Sequence, residues 1–552
     1  MRLSSTAVMA AMVLVSGASR DARACTNFLV TPGASEDGSA MVTYAADSHT
    51  LYGELYHLPP GEHRAGEERE IRDWDTGKFW GRIPEAAQTH EVFGFMNDRQ
   101  VVIAETTFGG REELKGPSGI LDYGSLMFLA LQRASTAREA VDVITRLVAE
   151  YGYASEGEVF SIADPREVWV LAMIGKGKDR KGAVWVALRV PDGYVTAHAN
   201  YPRITRFPLN DPRNCLYAAD VISFARENGW YDGPDEEFSF SDVYHPLTWA
   251  DARICEARVW SFFRRVAPSL GLEWDIEKGG VVRAPDREPI PLPLWVKPDR
   301  KLTPRDLMNA MRDHFERSPL DLSRGVGAGP FGLPYRWRPL TWKVDGVEYL
   351  NDRSTATQQT GFSFVAQARR HLPDPIGGLL WFGVDDTATT VYVPMYVGIR
   401  EAPRPYAVGT ADFQKFSWDS AFWVFNAVAN WAYTRYQDIA RDIRAVQDAF
   451  ESEFFARQAE VEAAALALYR QSPALARDYL NAYSDTQARR VVARWRRLWQ
   501  ELFVKYLDGN VRDEKGEVQH PPYPEEWYRR IIQEDGERYR VRHLPGEKKT
   551  VP

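Results

Sequence analysis

Ala22-Arg23-Ala24-Cys25-Thr26-Asn27-Phe28-Leu29-Val30, then Asp37-Gly38-Ser39, then Ala40-Met41-Val42-Thr43-Tyr44-Ala45-Ala46-Asp47 is the stretch on which the reading of this chain turns. Thr26 to Val30 and Ala40 to Ala46 are rich in strand formers. The segment between them, Gly33 to Ser39 with Pro32 just before it, is rich in turn residues, so the stretch predicts a β-hairpin. Its centre falls near Glu36, and positions 25 and 47 are equidistant from that centre. A regular antiparallel register therefore sets Asp47 beside Cys25.

Upstream of the hairpin, Arg2 is followed by an apolar run, Ala7 to Val15, too short to span a bilayer. An Ala-x-Ala pattern then ends immediately before Cys25. Residues 1–24 read as a signal peptide cleaved after Ala24. Cleavage there makes Cys25 the first residue, with a thiol and a free α-amino group on one carbon. Their ordinary pKa values, about 8.5 and about 7.7–8.0, let a useful minority of the amine accept the thiol proton near neutrality. The two titrate as a pair. Such a terminus is a nucleophile with its own base, and it points to an amide hydrolase working through a thioester. Oxyanion donors are still required, each worth on the order of 3 kcal/mol.

Composition sets the frame. The 552 residues allow two to four average domains or one large domain with additions, and 44% apolar residues suffice for a sizeable core. The leader carries three arginines and one aspartate, so its removal takes the net charge from −8 to −10, which argues against nucleic acid or anionic membrane as a general partner. Beyond the leader no uninterrupted apolar stretch reaches membrane length, so no integral membrane segment is expected after processing. Cys215 and Cys255 either pair or stay reduced and buried; in both cases Cys25 is left over.

Further along, residues 125–151 read as two helices, the second opened by a capping box of Thr136 and Glu139. Strands follow at Glu158–Ala163, Val168–Ile174, Ala183–Val190 and Tyr194–Ala199, with turns at Asp164-Pro165 and Pro191-Asp192-Gly193. The proline-rich residues 283–300 read as an extended connector. Thr303-Pro304 opens a helix whose face carries Leu307, Met308, Met311 and Phe315. The run Gly325 to Gly332 lacks a following Lys-Ser/Thr and reads as a loop bordering a pocket rather than a phosphate loop. From Trp418 to about Leu507 the pattern is helical; its stripe of Trp495, Leu498, Trp499 and Leu502 reads as core packing. Antiparallel strands with helices set apart in sequence point to an α+β fold of layered sheets covered by helices.

The motifs Cys25-Thr26-Asn27-Phe28-Leu29-Val30, Asp37-Gly38-Ser39 and Asp47-Ser48 resemble the bacterial dipeptidase A family of N-terminal-nucleophile (Ntn) cysteine hydrolases, related to penicillin V acylase and bile salt hydrolase. The likeness extends to Tyr151-Gly152-Tyr153, Phe160-Ser161-Ile162-Ala163-Asp164 and the helical end. It implies a four-layer αββα sandwich with no metal or other cofactor, with Cys25 as nucleophile and base. Asp47 matches the aspartate that holds the terminal amine. Asn200, in Ala197-His198-Ala199-Asn200-Tyr201-Pro202, resembles an asparagine that donates to the oxyanion, and Arg258 resembles an arginine near the nucleophile. Where the acylase relatives carry an arginine this chain has Tyr44, and Thr107 falls where their second oxyanion asparagine stands. Both are candidate substrate-binding residues, and the changes disfavour bile salt or penicillin substrates.

The resulting expectation is an exported, periplasmic or secreted, dipeptidase acting on short peptides. Homo-oligomer formation is left open. Its organisation is a signal peptide (1–24), a catalytic domain (25–410), a helical extension packed on the core (411–510) and a peripheral tail (511–552). An amidase for non-peptide acyl amides is the rival within the hydrolases. A lipid-anchored binding protein is the rival from another class, although a lipid-modified cysteine normally has Leu, not Ala22, three places before it. No His-Glu-x-x-His or tight Cys/His set speaks for a metal, and no Gly-x-Ser-x-Gly for a serine hydrolase. His198 is a pocket candidate only through its place beside Asn200.

Overall fold

The computed structural model describes residues 25–283 and 288–542, so the leader and its cleavage point lie outside the described residues. Two antiparallel sheets carry the centre of the molecule. In the first, seven strands run in the order Trp295–Val296, Val195–His198, Asn27–Val30, Ala40–Asp47, Thr360–Ala368, Leu379–Val384 and Val393–Tyr396. The second has eight strands. Its long members are Ala183–Arg189, Val168–Gly175, Gly157–Ala163 and Val102–Phe108, which are neighbours in that order.

Strands of both sheets read as nearly continuous apolar runs, such as Val168-Trp169-Val170-Leu171-Ala172-Met173-Ile174, because they are buried on both faces. Strands Asn27–Val30 and Ala40–Asp47 of the first sheet touch Val102–Phe108 of the second. Helices Tyr123–Arg133 and Ala137–Tyr151 pack on the second sheet, and Pro304–Met311, Ala421–Ala432 and Pro473–Lys505 pack on strands of the first. The composition of elements is α+β.

Local chemistry explains the helix ends. Thr136 caps Ala137–Tyr151 by accepting the Glu139 N–H at 3.2 Å, while Val141, Ile144, Leu147 and Val148 bury one face. The full capping box is not formed: Glu139 Oε2 takes the N–H of Ser135 instead, at 2.8 Å. Gly152 ends the helix with φ 78°, a conformation that favours glycine. At Thr303 the box is complete, with Asp306 as the reciprocal partner. That helix stops at Met311, so Phe315 does not extend its stripe; it is buried from a loop with φ 64°.

One further expectation is corrected, and one alternative left open is decided. Residues 283–300 are more than a connector, since Trp295–Val296 pairs with Val195–His198 at the sheet edge. Cys215 and Cys255 are both free and buried, so no disulfide joins them.

The C-terminal helices form a long antiparallel pair, Tyr436–Gln471 and Pro473–Lys505, broken at Ser472-Pro473. Trp495 is fully buried and stacks on Phe425 at 5.0 Å, which makes the tryptophan stripe core packing. Buried Arg312 clamps Glu451 of this pair at 3.1 Å, and Glu451 also accepts the Tyr392 N–H of the first sheet at 3.1 Å. Among the described residues no helix is long and apolar enough to cross a membrane.

Candidate active site

The hairpin forms, one register step away from the expected pairing. Leu29 faces Val42, Val30 faces Met41, and Thr26 bridges Ala45, so Cys25 stands opposite Ala46 rather than Asp47. The shift is made up locally. A bulge between Ala46 and Asp47 interrupts the ladder to Thr360–Ala368, and the Asp47 backbone N–H reaches the Cys25 thiol. Asp47 is therefore beside Cys25, through its backbone as well as its carboxylate.

The Asp47 side chain is fully buried and tightly held. Arg353 Nη2 donates to Oδ2 at 2.7 Å and Thr360 Oγ1 donates to Oδ1 at 2.6 Å. Burial pushes the carboxyl up to about 6, and the charges of Arg353, Arg258 and Arg338 with the Thr360 hydrogen bond pull the other way. Two of the roughly four carboxylate lone-pair positions are taken, leaving room for a further donor.

Arg258, from the helix Ala257–Val266, ties the start of the strand Asn27–Val30 to the end of the strand Val195–His198. Nη1 donates to the Cys25 carbonyl and to Thr26 Oγ1, each at 2.8 Å; Nη2 donates to Ala199 O at 3.2 Å and to Asn200 Oδ1 at 2.9 Å. Asn200 has φ 61°, and its Nδ2 donates to Thr107 O at 2.7 Å. Cys255 Sγ donates to Asn200 O at 3.6 Å and is thereby part of the same packing. The structure thus brings Cys25, Asp47, Asn200 and Arg258 together.

On the other flank of the thiol lies acid. Cys25 Sγ is 3.5 Å from Glu105 Oε1, and the Tyr44 hydroxyl donates to the same oxygen. Thr107 lies opposite Glu158 in the strand ladder, so Glu105, Thr107 and Glu158 share one face of the sheet. Thr107 Oγ1 accordingly donates to Glu158 Oε1 at 3.0 Å and to Glu105 Oε2 at 3.5 Å. Tyr44 and Thr107 thus hold carboxylates where the resemblance led one to look for substrate contacts.

Burial is the main reason the Cys25 thiol is pushed well above its usual range. Glu105, Asp47 and Glu158 add to the rise, and the Asp47 N–H opposes it. His198 offers no remedy. It belongs to the first sheet and is bonded across to Thr106 Oγ1 and Ser161 Oγ of the second, each at 2.7 Å, and burial lowers it to about 3. It is a neutral structural residue, not a pocket group. Among the described residues no cluster of three or more His, Cys, Asp or Glu is placed to hold a metal ion.

Glu105, Glu158 and Arg353 were missed in the sequence. The two glutamates stand at alternate or cross-strand positions of otherwise apolar strands, Val-Ile-Ala-Glu-Thr-Thr-Phe and Gly-Glu-Val-Phe-Ser-Ile-Ala, and a carboxylate in such a run is the available signal. Arg353 lies in a loop far from Asp47 in sequence, and nothing local marks it.

A small, half-open pocket lies beside Arg353, lined also by Arg336, Arg338 and Asp352. A larger depression, about 840 Å³, runs between Arg265 and Ala310 and contains none of the residues above.

The model of peptidase family C69 matches residues 57–449, which begins downstream of Cys25 and Asp47. The chain belongs to that family and is a peptidase. It is similar to a probable dipeptidase of Latilactobacillus sakei, 23% identical over 74% of this chain and 80% of that protein. A probable dipeptidase of Salmonella dublin is 24% identical over 68% of this chain and 82% of its own length. Dipeptidase A of Lactobacillus helveticus is 23% identical over 78% of this chain and 86% of its own length.

Proposed function

We propose that this peptidase is an exported dipeptidase whose nucleophile is Cys25, exposed as residue one by cleavage after Ala24 and activated by its own α-amine. The observation that carries the reading is the surroundings of the thiol. Burial and three carboxylates hold its proton on, and both ring nitrogens of the neutral His198 are taken by Thr106 and Ser161. A terminal amine on the same residue supplies both the missing base and, once protonated, a neighbouring positive charge. Asp47 retains acceptor capacity for that ammonium.

In the first half-reaction the amine takes the thiol proton and Sγ attacks the peptide carbonyl carbon. Charge gathers on the carbonyl oxygen, where the Asn200 side-chain amide is the candidate donor. The tetrahedral species collapses to a thioester as the leaving amine takes the proton back. Water then attacks the thioester, the amine again receives a proton, and the thiol departs with it. The buried carboxylates Glu105 and Glu158 suit a substrate bearing a free ammonium group, and the dipeptidase names of the relatives support that substrate class.

With this reading goes the four-layer Ntn sandwich for residues 25–410, supported by the sheet-to-sheet and helix-to-sheet contacts. Residues 411–510 form its helical extension and 511–552 the tail, with final residence in the periplasm or the medium.

The test is direct. Intact mass and Edman degradation of active protein should show an unblocked cysteine at position one. Cys25→Ser should keep the fold by circular dichroism and lose nearly all dipeptide turnover; retained turnover overturns the mechanism. Penicillin V and glycine-conjugated amides, run beside a dipeptide panel, distinguish the amidase reading.

A further inference from the structure

We propose that Arg253 is a positioning residue for the Cys25 site: through Asp352 it fixes the loop from which Arg353 holds Asp47, so that one helix places both Arg258 and Arg353. The inference rests on the reading of Cys25 as the nucleophile and adds to it the part that keeps the Asp47 carboxylate fixed beside it.

Residues 249–266 form one continuous helical segment: an α turn at Trp249–Asp251, a π turn at Ala252–Glu256 and the helix Ala257–Val266. Thr248 and Asp251 cap its start as a reciprocal box. In the π turn the Ala257 N–H reaches back five residues to the Ala252 carbonyl. The wider turn changes where Arg253 points. Arg253 and Arg258 are five residues apart, which on a regular α-helix would separate them by about 140° around the axis. A turn closed over five residues brings them toward one side. Ser261 and Arg265 follow Arg258 on that side at steps of three and four residues. Arg258 Nε also donates to the Ile254 carbonyl inside the turn, at 2.8 Å.

From that side the segment grips the loop that carries Arg353 at two points flanking it. Before Arg353, Arg253 Nε and Nη2 donate to the two carboxylate oxygens of Asp352, each at 2.7 Å, and both side chains are largely buried. The ring of Trp249, one turn earlier, lies 5.3 Å from the Arg253 guanidinium carbon. The planar group thus has its face on the ring and its edge on the carboxylate, which fixes its direction. After Arg353, Ser261 and Arg265 both donate to the buried carboxylate of Asp313, whose backbone carbonyl accepts the Ala356 N–H at 3.1 Å. Arg353 lies between these points and reaches Asp47 Oδ2 at 2.7 Å. Arg258, between Arg253 and Ser261 in the same segment, bonds Cys25 O and Asn200 Oδ1. Two guanidinium groups of the site are therefore referred to a single element, and the Arg253 fork sets the end of the loop adjacent to Arg353.

Asp352 also faces the charge of Arg336, so the test removes Arg253 instead. Arg253→Met is compared with the unsubstituted processed protein, and again in an Arg353→Met background, by kcat/KM for leucyl-leucine at pH 7 and by urea unfolding. Arg353→Gln serves as the background if Arg353→Met does not fold. A positioning role predicts a loss of about tenfold in the first background and less than about twofold in the second, where there is no guanidinium left to place. Arg253→Lys, with a point charge in place of the fork, should recover part of the loss. Iodoacetamide alkylation of Cys25 between pH 6 and 9 repeats the cycle without turnover, because the charges of Arg353 and Cys25 act on each other. The apparent thiol pKa should shift in Arg253→Met in the same direction as in Arg353→Met, with no further shift in the double variant. Equal losses in both backgrounds, thiol shifts that add, or no effect of Arg253→Met beyond a lower urea midpoint overturns the assignment. A processed protein that does not cleave dipeptides but shows the coupled thiol shift keeps the assignment and removes the dipeptidase reading, so the two fail in different assays.

Discussion

Arg353 Nη2 lies 2.7 Å from Asp47 Oδ2, and both side chains are buried. The pair bears on the charge of the carboxyl beside Cys25. Burial alone would keep Asp47 protonated; Arg353 is the first of the forces that oppose it, followed by Thr360, Arg258 and Arg338. A neutral Asp47 cannot answer an ammonium. Activity should therefore be present above the Asp47 pKa and fall as pH drops through it, at about 6 or lower once the adjacent α-ammonium adds its own charge. Arg353→Met should move the acidic limb of kcat/KM to higher pH, and Arg353→Lys should restore part of the shift. A limb that stays in place in Arg353→Met shows that Asp47 does not govern it.

Glu105 acts on the thiol in the opposite sense. Its charge is the largest electrostatic contribution raising the Cys25 pKa, after burial. Glu105→Gln keeps the shape and an acceptor for the Tyr44 hydroxyl while removing the charge. The thiolate fraction should rise, and half a pKa unit already means about a threefold gain. Iodoacetamide alkylation of Cys25, followed by mass spectrometry between pH 6 and 9, reads this directly. The same variant should raise KM for dipeptides if the carboxylate also meets the substrate ammonium.

Arg258 joins four acceptors that meet nowhere else: the Cys25 and Ala199 carbonyls, Thr26 Oγ1 and Asn200 Oδ1. Arg258→Met leaves them buried and unanswered. Each orphaned group costs roughly 1–3 kcal/mol, so a loss of at least about 3 kcal/mol in urea unfolding is expected, with kcat falling as Asn200 loses its anchor. Arg258→Lys should rescue little. A single ammonium lacks the planar fork that reaches both Cys25 O and Asn200 Oδ1.

Much of this site was legible because its backbone is local. Cys25 and Asp47 lie on one hairpin, and turn residues between two apolar runs placed them together to within a residue. The remaining step came from a bulge at Ala46/Asp47, which depends on pairing with Thr360–Ala368, more than 300 residues later in number, and so leaves no mark on the hairpin itself. Arg353 is hidden for the same reason. Glu105 and Glu158 were readable in principle as charges inside apolar strands, but which face they share follows from the pairing of Thr107 with Glu158, a tertiary fact. Phe315 shows the reverse failure: helical spacing continued past Met311, yet the backbone turned to φ 64° and buried the ring from a loop.

His198 offers a test of stability rather than catalysis. Thr106 Oγ1 and Ser161 Oγ bond its two ring nitrogens at 2.7 Å each, and burial lowers its pKa from 6.5 to about 3, with Arg203 adding to the fall. The unfolded chain takes up a proton below about pH 6.5 that the native ring refuses, so stability is full above that pH and is lost as pH falls toward 3. Between pH 7 and pH 4.5 this one group should cost about 2.5 kcal/mol, at 1.36 kcal/mol per unit. His198→Gln keeps a hydrogen-bonding side chain without the titration. It should be somewhat less stable at pH 7 but lose correspondingly less on acidification, measured as the difference in urea midpoints at the two pH values. Its kcat/KM profile should keep the acidic limb assigned to Asp47. A limb that disappears in His198→Gln would assign that titration to the histidine instead.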